Sequence, residues 1–235
     1  PAFVRMFGYD SAEQLCADIS NIEQQLFVEP QRRAEFMRLL ETQSEVQDFE
    51  YQARCRDNTV IWVNETTWTV RDSNGQVRYY EGIIEDVTQR KMIEEKLRYD
   101  ATHDQLTGLL NRSAFTSYLS EALLRLPAVP AKIADDSIEF AVLFVDLDRF
   151  KIVNDSMGHL IGDKLLTEIA HRLNYHCKED LVARFGGDEF ALMLEKIPNL
   201  FNLEQRLQTI QQYLREPYIL RNQTFNTTAS IGIAL

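Results

Sequence analysis

Acidic side chains follow an apolar segment in the second half of the sequence, in an arrangement suited to binding a divalent cation. Residues 140–145 are continuously apolar, which is typical of a central strand covered on both faces, and Asp146 and Asp148 come directly after them. Because side chains alternate along a strand, both carboxylates would point to the same side if the strand continues. A single aspartate after a strand is more often a turn or helix cap, so this pair alone leaves its role open.

A second acidic pair lies at the tip of a predicted hairpin. Gly186 and Gly187 separate two apolar segments, and Asp188 and Glu189 follow them directly. Glycine admits positive φ and lets a ligand come close to the backbone. By themselves these residues would form an ordinary turn with solvated acids. Beside Asp146 on a neighbouring strand, however, they could form the all-oxygen ligand set that Mg²⁺ prefers when it is shared with substrate phosphates.

The elements that would position these acids alternate between helix and strand. Apolar periodicity predicts helices near residues 115–126, 165–173 and 203–214, and strands at 140–146, 181–185, 190–194 and 225–235. A proline-containing acidic loop separates the first helix from the first strand. The apolar face of that helix comprises Phe115, Leu119, Leu123 and Leu126. This order of elements indicates an α/β sandwich with a mixed sheet.

The first part of the sequence follows a different pattern. A capping box from Ser11 to Gln14 and the proline at Pro30 indicate two short helices. From Asp48 onward the apolar residues alternate with period two, and Asn74-Gly75 supplies a hairpin signal. A third strand at residues 77–87 would complete an antiparallel meander. We therefore expect two domains, an α+β unit followed by the α/β unit.

A helix is predicted between the two domains. Thr88 can cap a helix in which Ile93, Leu97 and Ala101 form a stripe only one residue wide among charges. Such a stripe suits a linker that pairs with its twin in a homodimer, and the alternative is an amphipathic helix lying on its own domain. For the following His103-Asp104 a local hydrogen-bonded turn is favoured over catalysis.

Composition narrows the class of protein. The formal net charge of −11 opposes non-specific binding to nucleic acid or an anionic membrane surface. No apolar segment reaches the ~18 to 20 residues that a membrane helix needs. The three cysteines are odd in number and far apart, so a disulfide framework is not expected and a cytoplasmic location fits. The sequence does not begin with Met, so we expect a fragment whose complete protein could be membrane-attached through other regions.

Several motifs in a fixed order carry a resemblance to a known family. They are Gly186-Gly187-Asp188-Glu189-Phe190, the segment His103-Asp104-Gln105-Leu106-Thr107-Gly108-Leu109-Leu110-Asn111-Arg112, the segment from Asp146 to Asp155, and the pairs Gly158-His159 and Gly162-Asp163. With these, residues 100–235 resemble a GGDEF domain, the family of diguanylate cyclases. The resemblance implies condensation of two GTP molecules into cyclic di-GMP with release of pyrophosphate, each GTP held by one domain of a face-to-face pair.

The resemblance also implies roles for individual residues. Metal ions, Mg²⁺ or Mn²⁺, would be held by Asp146, the backbone carbonyl of Leu147, Asp188 and Glu189. Asp188 would also help to deprotonate the attacking ribose 3′-hydroxyl, and Lys151 would supply the positive charge that phosphoryl transfer requires.

Four further residues match substrate-binding positions of the family: Phe150, Asn154, His159 and Asp163. An amide and a carboxylate, Asn154 and Asp163, can together address the donor and acceptor edge of guanine. His159 matches a further substrate contact, and Phe150 is more typical of a core residue than of a stacking platform. For the polar residues the alternative role is a helix cap or a solvated surface group.

Two departures from the family pattern have consequences. Many members bind product as a feedback inhibitor at an Arg-x-x-Asp motif, but here the aligned residues are Cys177 and Asp180. A thiol cannot replace the cationic fork of arginine, so we expect this allosteric site to be absent or weak. Family members also continue past residue 235 with a helix that contacts the triphosphate. The last strands look most like GGDEF domains that precede an EAL phosphodiesterase domain.

Residues 1 to about 90 resemble the later part of a PAS sensor domain whose first strands are missing. No histidine lies in this segment, which excludes a haem held by histidine, and the surroundings of Cys16 and Cys55 differ from those of the flavin-binding subtype. The ligand of the PAS domain stays unknown.

Together these observations predict a PAS domain at 1–88, a linker helix at 89–101 and a GGDEF domain at 102–235, forming a homodimer that makes cyclic di-GMP. The alternatives are a GTP-binding regulatory domain that controls a downstream EAL phosphodiesterase, and a PAS-mediated dimerisation module, which would leave the acidic cluster unexplained.

Overall fold

The chain divides into two units, residues 1–96 and 97–235. The computed structural model describes residues 2–125, 138–221 and 223–235. Within those ranges, no helix combines the length and the apolar character needed to span a bilayer.

Four helices open the first unit where two were expected: α1 (Ala2–Met6), α2 (Ala12–Asp18), α3 (Ile22–Gln25) and α4 (Pro30–Gln43). The predicted cap at Ser11 is confirmed, since its hydroxyl accepts a hydrogen bond from the backbone N–H of Gln14 at 3.2 Å. Asn21 caps α3 in the same way through Gln24. The additional helices are short, and α3 has a single turn, too brief for apolar periodicity to reveal.

An antiparallel sheet follows, with strands β1 (Glu45–Arg54), β2 (Val60–Arg71) and β3 (Val77–Asp86) in the order β1-β2-β3. The predicted hairpin between β2 and β3 is present. Only Gly75 has positive φ there, at 80°, and the Asp72 carboxylate holds the turn by accepting the N–H groups of Asn74 and Gln76. The unit's core is aromatic, and the rings of Phe27 and Tyr51 stack at 4.1 Å.

Helix α5 (Thr88–Thr102) forms where a linker helix was predicted. The capping prediction for Thr88 was wrong in detail. The Asp86 carboxylate accepts the Thr88 N–H at 2.9 Å, while the Thr88 hydroxyl accepts the backbone N–H of Trp62 on β2. Ile93 and Leu97 are 57% and 63% exposed, so the narrow apolar stripe is free to pack against another surface.

The second unit is built on a five-stranded mixed sheet of order β10-β5-β7-β6-β4, in which only β4 and β6 run parallel. Its strands are β4 (Leu110–Asn111), β5 (Ile138–Leu147), β6 (Leu181–Gly186), β7 (Glu189–Ile197) and β10 (Ala229–Ala234). Its helices are α6 (Arg112–Arg125), α7 (Phe150–Met157), α8 (His159–His176) and α9 (Leu200–Arg215). A separate ribbon pairs β8 (Tyr218–Leu220) with β9 (Gln223–Phe225).

Two apolar clusters cover the sheet. Leu143 and Val145 of β5 belong to the larger cluster, which includes α8 and α9, whereas Val142 belongs to the cluster around Phe115 of α6. Because neighbouring strand residues point to opposite faces, these clusters lie on the two sides of the sheet. The covering of β5 is incomplete, since Phe144 is 50% exposed.

Some predictions for this unit need correction. The helical segment α7 was not predicted, and the expected strand at 225–235 is divided between β9 and β10. On α6, Leu123 is exposed rather than part of the apolar face. Leu126 and the predicted proline-containing loop lie outside the described residues.

Candidate active site

The acidic residues predicted to act together are neighbours in the sheet. Asp146 near the end of β5 pairs with Glu189 at the start of β7 on one side and with Ser230 of β10 on the other. The backbone N–H of Leu147 points to the carbonyl of Asp188 at 3.4 Å. Both acidic clusters therefore lie at one edge of the sheet, because β5, which carries Asp146, is hydrogen-bonded to β7, which begins at Glu189.

The electrostatics of this edge favour a cation. Burial and the negative charges of Asp188, Glu189 and Asp148 raise the pKa of Asp146. A bound cation would relieve this repulsion, and carboxylate and carbonyl oxygens are the donors that Mg²⁺ prefers. Among the described residues no three acidic, histidine or cysteine side chains converge as a complete metal site. The donors at this edge are carboxylate and carbonyl oxygens, and such donors suit an ion that is shared with substrate phosphates and water.

Asp148 is tied to strand β10 instead of standing free beside Asp146. Its carboxylate accepts hydrogen bonds from the hydroxyls of Thr228 and of Ser230, the latter at 2.8 Å, and these bonds lower its pKa. Its backbone N–H donates to the Thr228 carbonyl at 2.9 Å, and the Thr227 hydroxyl donates to its carbonyl at 3.4 Å. Residue 148, which follows the predicted metal-binding carbonyl of Leu147, is therefore fixed from both its side chain and its backbone.

The glycine turn has the conformation that its sequence requires. Gly186 and Gly187 have φ values of 134° and 52°, and a Cβ at either position would meet no atom within 4 Å. The space around the turn is thus open, while its backbone is confined to a region that favours glycine. Such a turn can accept a ligand close to its peptide groups.

Arg184 holds the glycine turn through hydrogen bonds. Its Nε and Nη2 donate to the Gly187 carbonyl at 3.0 and 2.7 Å, and its Nη1 donates to both carboxylate oxygens of Asp104 at 3.0 and 3.1 Å. Asp104 also accepts the N–H and the hydroxyl of Thr107 at 2.9 and 2.6 Å. The structural role expected for Asp104 agrees with these contacts, but its link to the glycine turn was not foreseen. The nearby His103 stacks on Tyr99 at 3.9 Å.

The pKa of Asp104 reflects this network. Burial acts to raise the pKa, but the hydrogen bonds from Thr107 and Arg184 outweigh burial and hold the pKa below its usual value. The carboxylate consequently stays ionised and paired at neutral pH.

The predicted substrate-binding residues lie on α7 and α8. Lys151 is exposed in the first turn of α7, and His159 and Asp163 are exposed in the first turns of α8. Asn154 is half-buried, with its amide against the backbone of Gly162. Phe150 is buried in the core, so it supports the site from beneath and offers little surface to a ligand.

A single residue connects the two helices. Gly158 has φ of 83°, and its N–H donates to the carbonyl of Asn154 at 2.9 Å. This turn places the end of α7 beside the first turns of α8, where Asp163 lies.

Two cavities meet at Asp146. One has a volume of about 820 Å³ and is bordered by Glu189 and by the aromatic residues Phe144 and Phe185. The other, of about 920 Å³, is bordered by Asp148, Thr228 and two arginines, Arg149 and Arg215. Both volumes lie in the range of small-molecule sites. The arginines were not identified in the sequence, because nothing in their spacing marks them.

The two residues of the predicted feedback site, Cys177 and Asp180, have buried side chains. Asp180 is buried, with a side chain 2% exposed, and pairs with Arg206 of α9. Burial raises the pKa of Asp180, and it raises the pKa of the Cys177 thiol to about 11. The carboxylate already has a cationic partner within the domain, one that the sequence did not indicate.

Comparison with known families now adds to the geometry. Residues 101–235 match the family described as diguanylate cyclase, GGDEF domain, and residues 1–84 match the PAS fold. The chain belongs to the GGDEF family of diguanylate cyclases. Its architecture is a PAS unit followed by a GGDEF domain.

Individual relatives are similar over the second unit. Diguanylate cyclase TpbB of Pseudomonas aeruginosa strain UCBPP-PA14 is 40% identical over 141 residues, which cover 59% of this chain and 31% of the relative. The bifunctional diguanylate cyclase/cyclic di-GMP phosphodiesterase MucR of P. aeruginosa strain PAO1 is 41% identical over 138 residues, which cover 57% of this chain and 19% of that protein. The chain thus spans less than a third of the length of either relative.

A solved structure extends the comparison. The coiled coil and GGDEF domain of DgcB from Caulobacter crescentus, in complex with c-di-GMP, gives a TM-score of 0.51 at 26% identity and covers 63% of this chain and 75% of that one. This similarity agrees with the mixed sheet and surrounding helices of the second unit.

Proposed function

We propose that the chain condenses two GTP molecules into cyclic di-GMP as a homodimer under the control of its PAS unit. In this proposal residues 1–88 form the sensor domain, residues 89–101 form the linker helix and residues 102–235 form the catalytic domain. The observation that carries it is the position of Asp146 beside Glu189 and Asp188, where burial and their charges raise the pKa of Asp146 in a domain of the diguanylate cyclase family.

The reaction consists of two phosphoryl transfers. In each, the ribose 3′-oxygen of one GTP forms a bond to the α-phosphorus of the other, and the bond from that phosphorus to the oxygen bridging to the β-phosphate breaks. Pyrophosphate leaves, and the second transfer closes the ring. Asp188 accepts the proton of the attacking hydroxyl, and the exposed Lys151 ammonium offsets charge that develops on the departing pyrophosphate.

The remaining site residues bind and orient. Asp146, the Leu147 carbonyl, Asp188 and Glu189 would hold Mg²⁺ or Mn²⁺, which supplies Lewis-acid polarisation of the phosphate oxygens. Asn154 and Asp163 address the guanine edge, and His159 contacts the substrate. Phe150 holds the start of α7 in the core beneath them.

Two half-sites must meet for condensation, which requires a dimer. The exposed Ile93 and Leu97 of α5 supply an apolar stripe for pairing with a second copy, and the PAS unit would add to this contact. Because the substrate GTP is a cytoplasmic nucleotide, the proposal places this part of the protein in the cytoplasm.

The test is product analysis. The complete protein is incubated with GTP and Mg²⁺, nucleotides are separated chromatographically, and oligomeric state is measured on the same sample. We expect cyclic di-GMP from the parent and from Glu121→Gln, an exposed change on α6, and none from Asp188→Ala. Product from Asp188→Ala at the parent rate would overturn the assignment of that residue.

A second candidate is a regulatory domain that binds GTP without condensing it and controls a downstream EAL phosphodiesterase. The similarity to MucR, a bifunctional diguanylate cyclase/cyclic di-GMP phosphodiesterase, supports this second candidate. In the same experiment, dimers that bind GTP and leave it intact would support this candidate over the cyclase.

A further inference from the structure

Gly162 has no room for a side chain, although it lies inside helix α8. A Cβ built on Gly162 would overlap Oδ1 of Asn154 and would lie 3.0 Å from Asn154 Cγ and 3.1 Å from Phe150 Cζ. Heavy atoms in close-packed interiors do not tolerate such overlap, so a side chain at 162 would require one of these groups to move.

The backbone itself does not call for glycine at this position. Gly162 has helical backbone geometry without positive φ, and glycine inside a helix is less favourable than alanine by roughly 0.5–1 kcal/mol. Gly158, four residues earlier, differs, because its φ of 83° does favour glycine. The need for glycine at 162 therefore comes from what packs against it, the amide of Asn154.

The overlap would be relieved mainly by rotation of the Asn154 side chain. Phe150 is buried in the core, and the Asn154 carbonyl is held by the N–H of Gly158 at 2.9 Å. The backbone of α7 is thus fixed at both of these points, whereas the amide at the end of a flexible side chain can turn away.

We infer that Gly162 is a positioning residue for nucleobase recognition, which leaves the space in which the Asn154 amide lies, against the residue that precedes Asp163. The inference rests on the proposed function, because it takes GTP as the ligand and Asn154 as a guanine contact. The inference adds that the preference for GTP over ATP depends on the absence of a side chain at residue 162, although Gly162 itself does not contact the substrate.

The test measures nucleotide binding, which does not depend on condensation. Dissociation constants for GTP and ATP in the presence of Mg²⁺ are determined by calorimetry for the parent, Gly162→Ala, Asn154→Ala and the double variant. Loss of one well-placed hydrogen bond corresponds to about a tenfold change. We expect Gly162→Ala and Asn154→Ala each to weaken GTP binding about tenfold, to leave ATP binding nearly unchanged, and to reduce the preference for GTP.

The double variant separates positioning from general disturbance of α8. If Gly162 acts through Asn154, adding Gly162→Ala to Asn154→Ala weakens GTP binding no further. An equal additional loss in that background would overturn the inference, since the effect would then come from the helix. Glu168→Ala, an exposed change on the same helix, serves as a control, and cooperative thermal unfolding verifies that each variant is folded.

The remaining outcomes identify which hypothesis fails. If Asn154→Ala weakens GTP binding and Gly162→Ala does not, the positioning role is wrong and the guanine contact stands. If Asn154→Ala leaves the preference for GTP intact, the guanine contact itself is wrong, and the role of Gly162 fails with it. Cyclase activity is measured separately and enters neither conclusion.

Discussion

The guanidinium of Arg184 joins Asp104, two residues after the end of α5, to the carbonyl of Gly187 in the turn between β6 and β7. The two carboxylate contacts measure 3.0 and 3.1 Å, and the shortest contact with Gly187 measures 2.7 Å. One side chain thus connects the start of the second unit to the turn that carries Asp188.

Replacement of Arg184 by lysine should impair both catalysis and stability. A lysine ammonium cannot reproduce the planar fork that reaches Asp104 and Gly187 together. We expect kcat to fall about 10- to 100-fold, because small displacements of reacting groups have effects of this size, and the free energy of unfolding to fall by about 1–3 kcal/mol. Enzyme kinetics and denaturant titration measure both, with Glu121→Gln as the control. An unchanged kcat would contradict the proposed support.

Stability should depend on pH through Asp104. Its pKa is lowered in the folded state, so its ionised form stabilises the fold above the unfolded pKa of about 3.9. This contribution is lost as the pH falls through the lower, folded pKa. The difference in unfolding free energy between the parent and Asp104→Asn should be largest near neutral pH and should diminish below about pH 4. A difference that stays constant down to pH 3 would exclude the ion pair as its source.

Substitution of Asp146 should raise stability while removing function. Because the pKa of Asp146 is raised by burial and by neighbouring carboxylates, ionisation opposes folding as the pH rises through that pKa. Asp146→Asn should therefore raise Tm at pH 7 and abolish cyclic di-GMP formation. Mg²⁺ should raise the Tm of the parent more than that of the variant, by ligand linkage. A lower Tm, or equal responses to Mg²⁺, would count against the crowded-carboxylate site.

The hydroxyls that donate hydrogen bonds to Asp148 should affect the Mg²⁺ concentration that the reaction requires. Thr228→Val combined with Ser230→Ala removes both side-chain donors and leaves the ionised carboxylate free to change its position relative to Asp146. We expect the Mg²⁺ concentration for half-maximal rate to change about tenfold, with a smaller change in kcat. Thr224→Val, an exposed change on β9, is the matched control. Identical Mg²⁺ titrations for variant and parent would show that Asp148 needs no such support.

Cyclic di-GMP should not inhibit its own synthesis by binding at residues 177–180, the position of the family's feedback motif. Asp180 is buried against Arg206, and Cys177 replaces the arginine that would bind product. Added cyclic di-GMP should leave initial rates unchanged apart from competition with GTP. Non-competitive inhibition that disappears in Asp180→Asn would demonstrate a working site.

The central hairpin was predictable because its signals are local. A continuous apolar segment predicted the strand that leads to Asp146, and two glycines between apolar segments predicted the hairpin that carries Glu189. The structure then pairs these two residues. Helix α7 was missed because Arg149 before it has φ of 60° and forms no side-chain cap, so no start signal appears in the sequence. The last strand is divided because residues 227 and 228 bond to Asp148.

The supporting contacts were not predictable, since they join distant parts of the chain. Arg184 and Asp104 are 80 positions apart, and Arg206 and Asp180 are 26 apart. No periodicity marks such pairs, and each residue alone reads as a surface charge. Motif order could identify the acids and the amide of Asn154, but only the folded structure shows which groups hold them.

The single residue between α7 and α8 limits how this domain can diverge. With Gly158 as the whole connection, there is no loop in which an inserted or deleted residue could be absorbed. One added residue would turn all of α8 by about 100° relative to α7 and carry Asp163 away from Asn154. Changes of length should therefore be absent from this junction among functional descendants, while exposed positions such as Glu168 stay open to substitution.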